Sequence, residues 1–318
     1  MAVSGAIEAA IDIGTNTILM LVSEVSPTGP TGTRTMLRTV SDHQTIVRLG
    51  QGVHQNRCFA PEAMERALKC FQNYKRICTE SQVVKIRAVA TSASRDSTNA
   101  VEFYSRVREA TGIDVKVIPG ETEARLSFLG GLLPFQNPKT SALIDIGGGS
   151  TEFVSLNPKG DDVHGQSLDI GCVRATEMFL KGDPYTKTSV IEMEQALKKM
   201  WSAIDPKLQQ ELREKEWTAI AGTPTTLAAL DQRLPTFESS KVDGYRIDRC
   251  SVGDWYEALA TQTQMQRNGS PLMGPGRGDI MVAGTAILFS AMEFFDKADI
   301  IVSSRGLRHG IMLKPPIE

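Results

Sequence analysis

One ten-residue stretch constrains this chain more than any other: Leu143-Ile144-Asp145-Ile146-Gly147-Gly148-Gly149-Ser150-Thr151-Glu152. A short apolar run delivers one carboxylate, then three glycines, two hydroxyls and a second carboxylate. Three consecutive glycines cost backbone entropy and so need a reason. Close approach of backbone N–H groups to an anion, with no Cβ in the way, supplies one. Two acids flanking such a turn suit a divalent cation held against the same anion. The stretch therefore reads as a phosphate and Mg²⁺ site.

The motif has an echo near the N-terminus, where Ala10-Ile11-Asp12-Ile13-Gly14-Thr15-Asn16-Thr17 repeats the order apolar, Asp, apolar, Gly, hydroxyl. An apolar run follows each copy, Ile18 to Val25 and Phe153 to Leu156. Each copy reads as a β-hairpin with a turn rich in glycine, hydroxyl and amide groups. A lone Asp-x-Gly turn is simply a hairpin; a matched pair points to an internal duplication. If the two halves face each other, the turns clamp one polyphosphate from both sides.

The chain has 318 residues, enough for two domains of ordinary size. Hydrophobic content of 41% and charged content of 23% fit a globular protein with real cores. No apolar run reaches membrane-span length, and the start, Met1 to Gly5, lacks the basic and apolar regions of a secretory signal. Cys58, Cys70, Cys78, Cys172 and Cys250 are odd in number and none pair at C-x-x-C spacing. They read as scattered thiols in a reducing compartment, which implies a cytoplasmic protein. The four histidines are equally dispersed, so a histidine-based metal site is not expected. A formal net charge of −2, with no dense basic run, argues against nucleic acid as a partner. Arg34, Arg38, Arg48 and Arg57 fall in one region and read as solvated cations rather than the lining of a channel.

Along the chain, strands mix with helices. Ser26 to Gly32 is a turn region and Met36 to Leu49 a further strand. Pro61 opens a helix through Ala63, Ala67, Phe71 and Tyr74. Val83 to Ala90 is a strand ending in the polar loop Thr91 to Asp96, before a helix closed by Gly112. Val115 to Ile118 and a helix from Pro119-Gly120 follow. In the second half, Ser189 to Glu192 resembles a capping box opening a helix toward Trp201. Trp217 to Ala221 is a strand feeding Gly222-Thr223-Pro224-Thr225-Thr226, which mirrors the Thr91 to Asp96 unit. Met281 to Phe295 is a strongly apolar, buried helix, followed by a strand at Ile300 to Val302 and a helix over Gly306 to Leu313. Each half is predicted to be a twisted sheet flanked by helices, with Phe135 to Thr140 as a linker between them.

These residues resemble the exopolyphosphatase and guanosine pentaphosphate phosphatase (Ppx/GppA) family, in its short two-domain form. The most specific segments are Gly120-Glu121-Thr122-Glu123-Ala124-Arg125-Leu126 and Asp145 to Glu152, supported by Ala10 to Thr17, Ala90 to Asp96 and Ile301 to Gly310. The resemblance implies a duplicated, ribonuclease H-like α/β fold of the actin, sugar kinase and heat-shock chaperone superfamily, two-lobed with a central cleft. The lobes expected are 1–122 plus 304–318, and 123–303.

In that family the acid just before Ala-Arg activates water. Here it is Glu123, with Glu121 the nearby alternative. The physical argument agrees, because phosphoanhydride hydrolysis needs an in-line water with a carboxylate to orient or deprotonate it. Taken alone, Glu123 reads as a helix-start carboxylate favoured by the dipole. The resemblance makes Asp145, Glu152 and Asp12 metal-associated acids, with Mg²⁺ as cofactor (Mn²⁺ as a substitute). Gly147, Gly148, Gly149, Ser150 and Thr151 on one side, and Thr15, Asn16 and Thr17 on the other, would cradle phosphate oxygens. Arg95 sits at a phosphate-binding arginine position, or else pairs with Asp96 or another acid near a helix start. Arg305 and Arg308 approach from the second half or serve as helix-surface cations, and His309 has no assigned role. The Gly222 to Thr226 turn stands where superfamily kinases contact a nucleoside. Arg277-Gly278-Asp279 reads as an Arg–Asp pair pinning a helix start.

The expectation is a Mg²⁺-dependent hydrolase that releases orthophosphate from inorganic polyphosphate. Guanosine pentaphosphate is the alternative substrate, and a kinase or ATPase of the superfamily a further one. Relatives often dimerise, so a homodimer is expected.

Overall fold

The structure, a computed structural model, describes residues 5–27, 34–157 and 162–314. Most of the turn region expected at Ser26 to Gly32, together with the first and last four residues, lies outside them. The chain divides into two compact units, Met1–Gly130 with Gly306–Glu318, and Gly131–Arg305.

Unit 1 runs β1 (Ala6–Ile13), β2 (Thr17–Val25), β3 (Met36–Ile46), α1 (Val53–Asn56), α2 (Pro61–Glu80), β4 (Lys85–Ala90), α3 (Ser92–Asp96), α4 (Ala100–Thr111), β5 (Val115–Val117) and α5 (Gly120–Gly131). Its sheet has the order β3-β2-β1-β4-β5, antiparallel through β3, β2 and β1 and parallel through β1, β4 and β5. Central β1 is buried on both faces. Ala9, Ile11 and Ile13 pack with the apolar sides of α2 and α4, and Ala10 packs on the other face with Leu126 of α5. The proline expected to open α2 stands at its first turn, and Gly112, at φ +71°, ends α4. Thr91 to Asp96, read from sequence as a loop, is instead mostly the short helix α3.

Unit 2 runs β6 (Ser141–Ile146), β7 (Thr151–Leu156), β8 (Val163–Leu168), α6 (Cys172–Phe179), α7 (Lys187–Ser202), α8 (Pro206–Glu214), β9 (Glu216–Ile220), α9 (Gly222–Asp231), α10 (Ser239–Val242), β10 (Arg246–Asp248), α11 (Arg249–Thr261), α12 (Gln264–Asn268), α13 (Met281–Phe294) and β11 (Asp299–Val302). Its sheet is β10-β11-β9-β6-β7-β8. Read from β8, the first five strands repeat unit 1: two antiparallel pairs, then two parallel ones. That is the duplicated, ribonuclease H-like α/β order expected. The chain returns to unit 1 with α14 (Leu307–Leu313).

Alternation along β7 positions the motif. Phe153 points into an aromatic cluster, with ring centroids 5.4 Å from Trp201, 5.7 Å from Trp217 and 5.5 Å from Phe295. Both indoles are satisfied, Trp201 by Ser290 Oγ at 2.9 Å and Trp217 by the Leu212 carbonyl at 2.8 Å. The neighbouring Glu152 must therefore project from the opposite face.

Two expectations need correction. Helix α7 begins at Lys187, capped by Thr186, whose hydroxyl accepts from the Ser189 N–H at 3.3 Å; Ser189 lies within the first turn rather than at the cap. Arg34 is not solvated. It is buried and makes a two-pronged 2.7 Å contact with Glu8, which Arg87 also contacts. The division by packing falls at Gly130/Gly131 and Arg305/Gly306, where the sequence placed it at 122/123 and 303/304. The reason is close crossing of α5 and α14. A Cβ on Gly310 would lie 2.0 Å from the Leu126 carbonyl oxygen, and one on Gly130 would lie 2.2 Å from the Gly310 nitrogen. Glu123 thus belongs to unit 1. Gln136, within the expected linker, donates to Thr218 Oγ1 at 2.6 Å inside unit 2.

Candidate active site

In unit 2 the two motif acids face each other. The antiparallel register of β6 and β7 pairs Asp145 with Glu152 on one rung, next to the rung of Ile146 and Thr151. Cross-strand partners project from the same face with Cβ atoms about 4.5–5.5 Å apart. Asp145 is half-buried and Glu152 is only 1% exposed. The turn between them is closed by the Gly147 N–H, which donates to the Ser150 carbonyl at 3.0 Å. Two of its other carbonyls are also spent: Gly147 O accepts from the Cys172 N–H at 2.9 Å, and Gly148 O accepts from Val173 and Arg174. By contrast, the N–H groups of Gly148, Gly149 and Ser150 donate to no group among the described residues. Successive unspent amides of this kind form an anion nest. The Thr151 hydroxyl donates to the Ile170 carbonyl at 2.6 Å and holds the turn to the following segment.

Two residues that the sequence reading missed shape this turn. A Cβ on Gly171 would lie 2.5 Å from the Gly148 carbonyl carbon and 2.6 Å from the Gly147 oxygen, so only glycine lets α6 approach. Ser167 donates to Glu152 Oε1 at 2.6 Å. The signal for Gly171 was present, a glycine immediately before a helix; Ser167 has none in sequence. Cys172, beside the turn, is buried, and its thiol is pushed up to about 12, chiefly by burial. It stays protonated at neutral pH and is no thiolate nucleophile.

In unit 1 the echo turn has the same closure, Gly14 N–H to Thr17 O at 3.0 Å. Its carbonyls also point back into the protein: Thr15 O accepts from Gly50, and Asn16 O from Val47 and Arg48. Asp12 is half-buried at the end of β1, and its rung partner is Leu19, not an acid.

Glu123, in the first turn of α5, is 7% exposed, whereas Glu121 is exposed. Burial separates the two alternatives. Glu123 accepts from Arg95 Nη1 at 2.7 Å, and the same nitrogen donates to the Ile118 carbonyl at 3.0 Å. Burial pushes the Glu123 carboxyl above its ordinary value, while Arg95 and Thr91 pull it back without cancelling the shift. Arg95 therefore pairs with an acid near a helix start, and that acid is Glu123 itself.

Arg308 is buried and grips Asp42 of β3 through 3.0 and 2.8 Å contacts, which pins α14 to the sheet edge. It is not a helix-surface cation. Arg305 is half-buried, with its N–H on Ser303 Oγ at 3.2 Å. Arg277 Nη1 reaches the α9 turn, at 3.0 Å from Gly222 O and 2.8 Å from Thr226 Oγ1, so the helix start it pins is that of α9.

Among the described residues, no three His, Cys, Asp or Glu side chains gather into a metal cage. The donor set is the hard carboxylate pair of one rung. It fits Mg²⁺, which keeps several waters and takes one or two carboxylates plus phosphate oxygens. It does not fit a structural zinc, which needs four nitrogen or sulfur ligands.

The sequence matches the profile of the Ppx/GppA phosphatase family over residues 29–315. It is 34% identical to Exopolyphosphatase 2 of Mycobacterium tuberculosis over 317 residues, 96% of this chain and 97% of that protein. The crystal structure of an exopolyphosphatase from Cytophaga hutchinsonii superposes with a TM-score of 0.83 at 26% identity, covering 96% of each chain. A PPX-GPPA enzyme of Aquifex aeolicus superposes at 0.76 with 29% identity, covering 96% of this chain and 98% of that one.

Proposed function

The chain belongs to the Ppx/GppA phosphatase family, and on that premise we propose that it is a hydrolase releasing terminal orthophosphate from inorganic polyphosphate. One observation carries the reading: a same-rung carboxylate pair stands beside a turn whose Gly148, Gly149 and Ser150 amides donate to no group among the described residues. Acids and unspent amides together suit a phosphate chain neutralised by a hard cation.

In unit 2, the amides of Gly148, Gly149 and Ser150, within the Gly147 to Thr151 turn, bind phosphate oxygens. Fixed donors of this kind stabilise charge that builds in the transition state, at no cost of reorganisation. Asp145 and Glu152 would hold Mg²⁺, with Asp12 of unit 1 as a further acid. When bound, the ion neutralises phosphate charge and polarises the bond to be broken. In unit 1, Thr15, Asn16, Thr17 and Arg95 bind phosphate oxygens, as Arg305 does from unit 2. Glu123 is the base. It orients a water in line with the terminal phosphorus and takes its proton as the new P–O bond forms. The bridging P–O bond breaks, and the shortened polyphosphate leaves with its electron pair. Burial raises the affinity of Glu123 for protons above that of an ordinary carboxylate, which suits it to accept one.

The protein is read as cytoplasmic and homodimeric. Its five cysteines are free thiols, and no described helix is long and apolar enough to cross a membrane. The test is orthophosphate release from long polyphosphate, tripolyphosphate and guanosine pentaphosphate in parallel, with and without Mg²⁺. Mg²⁺-dependent release from polyphosphate is expected to exceed that from the nucleotide. Release from the nucleotide alone, or release from polyphosphate unaffected by chelation, would overturn the proposal.

A further inference from the structure

Strand β8 carries a feature that the reaction as described leaves unused. It is the outer strand beside β7, and every residue from Val163 to Leu168 is half-buried. Its two faces do different work. His164 and Gln166 turn toward α8: His164 Nδ1 lies 3.3 Å from Glu211 Oε1, and Gln166 Oε1 accepts from the Asp205 N–H at 3.0 Å. Alternation sends Gly165 and Ser167 to the opposite face. Gly165 contributes no side chain there. Ser167 contributes a hydroxyl.

The register puts that hydroxyl in line with the two acids. Asp145 pairs with Glu152 across β6 and β7, and Glu152 pairs with Ser167 across β7 and β8. One rung therefore reads Asp145, Glu152, Ser167 on one face over three adjacent strands. The Ser167 hydroxyl donates to Glu152 Oε1 at 2.6 Å, a short, well-formed hydrogen bond. Glu152 is almost wholly buried, and a buried polar oxygen needs a hydrogen-bond partner. The bond also fixes rotation of the carboxylate plane, because it engages one named oxygen.

We infer that Ser167 is a positioning residue for Glu152, presetting the carboxylate that receives the divalent cation. The inference rests on the reading of Asp145 and Glu152 as the Mg²⁺-holding pair. Ser167 touches neither substrate nor water in this role; it acts through Glu152. Outer-shell partners of metal ligands commonly change metal affinity by about 10- to 100-fold when lost.

The experiment is titration of the full chain with Mn²⁺ alone, followed by the electron paramagnetic resonance signal of free Mn²⁺. Wild type, Ser167→Ala, Ser167→Thr and Glu152→Gln are compared. Expected is weakening of Mn²⁺ binding by roughly 10-fold or more in Ser167→Ala, with Ser167→Thr, which keeps the hydroxyl, close to wild type. The Mn²⁺ concentration for half-maximal phosphate release should rise in the same proportion in Ser167→Ala. KM for polyphosphate at saturating Mn²⁺ should not move, and a merely structural role would lower the melting temperature while leaving Mn²⁺ affinity as in wild type. If the alanine variant is poorly folded, Ser167→Cys, which keeps the size but donates weakly, replaces it. Mn²⁺ affinity equal to wild type in Ser167→Ala, with Glu152→Gln impaired, would overturn the inference alone. Glu152→Gln binding Mn²⁺ as wild type does would overturn the metal reading as well.

Discussion

The β1–β2 and β6–β7 hairpin tips share a backbone and differ in their chemistry. Each has an aspartate one residue before the strand end and a glycine that closes a four-residue turn with a 3.0 Å hydrogen bond. In each, carbonyls of the turn are bound by amides from a later segment: Val47, Arg48 and Gly50 in unit 1, and Cys172 to Arg174 in unit 2. The difference is the rung partner of the aspartate, Leu19 in one copy and Glu152 in the other. In the proposed function one turn binds phosphate, and the other adds a second carboxylate with which to hold the cation. The two tips keep one scaffold, and in the proposed function a single cross-strand position divides their roles. Unit 1 carries its own acid elsewhere, on α5, where Glu123 is buried against Arg95.

That division is open to breaking, and the largest effect is expected at Glu123. Glu123→Ala should lower kcat for phosphate release by about 10²- to 10⁴-fold, with the circular dichroism spectrum unchanged. Near-normal turnover would remove it from the mechanism, and Glu121→Ala run alongside would show whether the exposed neighbour takes its place. Next comes the rung itself. Glu152→Leu, which gives unit 2 the residue unit 1 has, should raise the half-saturating Mg²⁺ by more than the roughly 10- to 100-fold typical of an outer-shell loss. Asp12→Asn, measured the same way, should shift it less. An equal effect of both would erase the asymmetry between the tips. Smaller again is Gly171→Ala. Its Cβ has no room against Gly147 and Gly148, so the turn must shift at a cost of about 1–3 kcal/mol, readable by denaturant titration. No change in stability would mean that α6 yields freely.

These comparisons separate what local pattern encodes from what it does not. The Asp145–Glu152 pair was legible because period-two alternation and a four-residue turn fix which residues meet. The duplicated sheets were legible for the same reason, from two matching apolar runs around two matching turns. The Arg95–Glu123 contact was not, because its partners lie 28 residues apart and meet only when α5 docks. That docking depends on Gly130 and Gly310, far apart in sequence, whose missing side chains let two helices touch. Arg34 was misread because only the folded sheet reveals Glu8 beneath it. Ser167 lies on a polar strand without apolar alternation, so neither its strand nor its partner could be read in advance.

The smallest expected effect concerns pH, and it tests the unit 1 half of the comparison. Burial raises the Glu123 carboxyl above the ordinary 4.5, and Arg95 is the main group pulling it back. The base must be ionised to accept a proton, so the acid limb of kcat should lie above the usual carboxylate range. Arg95→Gln removes the pull and leaves the burial, so the limb should move further up. A limb that stays put, or moves down, would show that Arg95 does not tune the base. Stability gives an independent reading with a definite sign. Folding raises the affinity of Glu123 for its proton, so this residue's contribution is fully present below the unfolded value. It is lost as pH rises through the folded one. Glu123→Gln cannot lose a proton and should gain melting temperature relative to wild type as pH rises through that window, with the difference vanishing in acid. A difference that shrinks with rising pH would mean that the ion pair with Arg95 outweighs burial, and that Glu123 is held for structure rather than poised as a base.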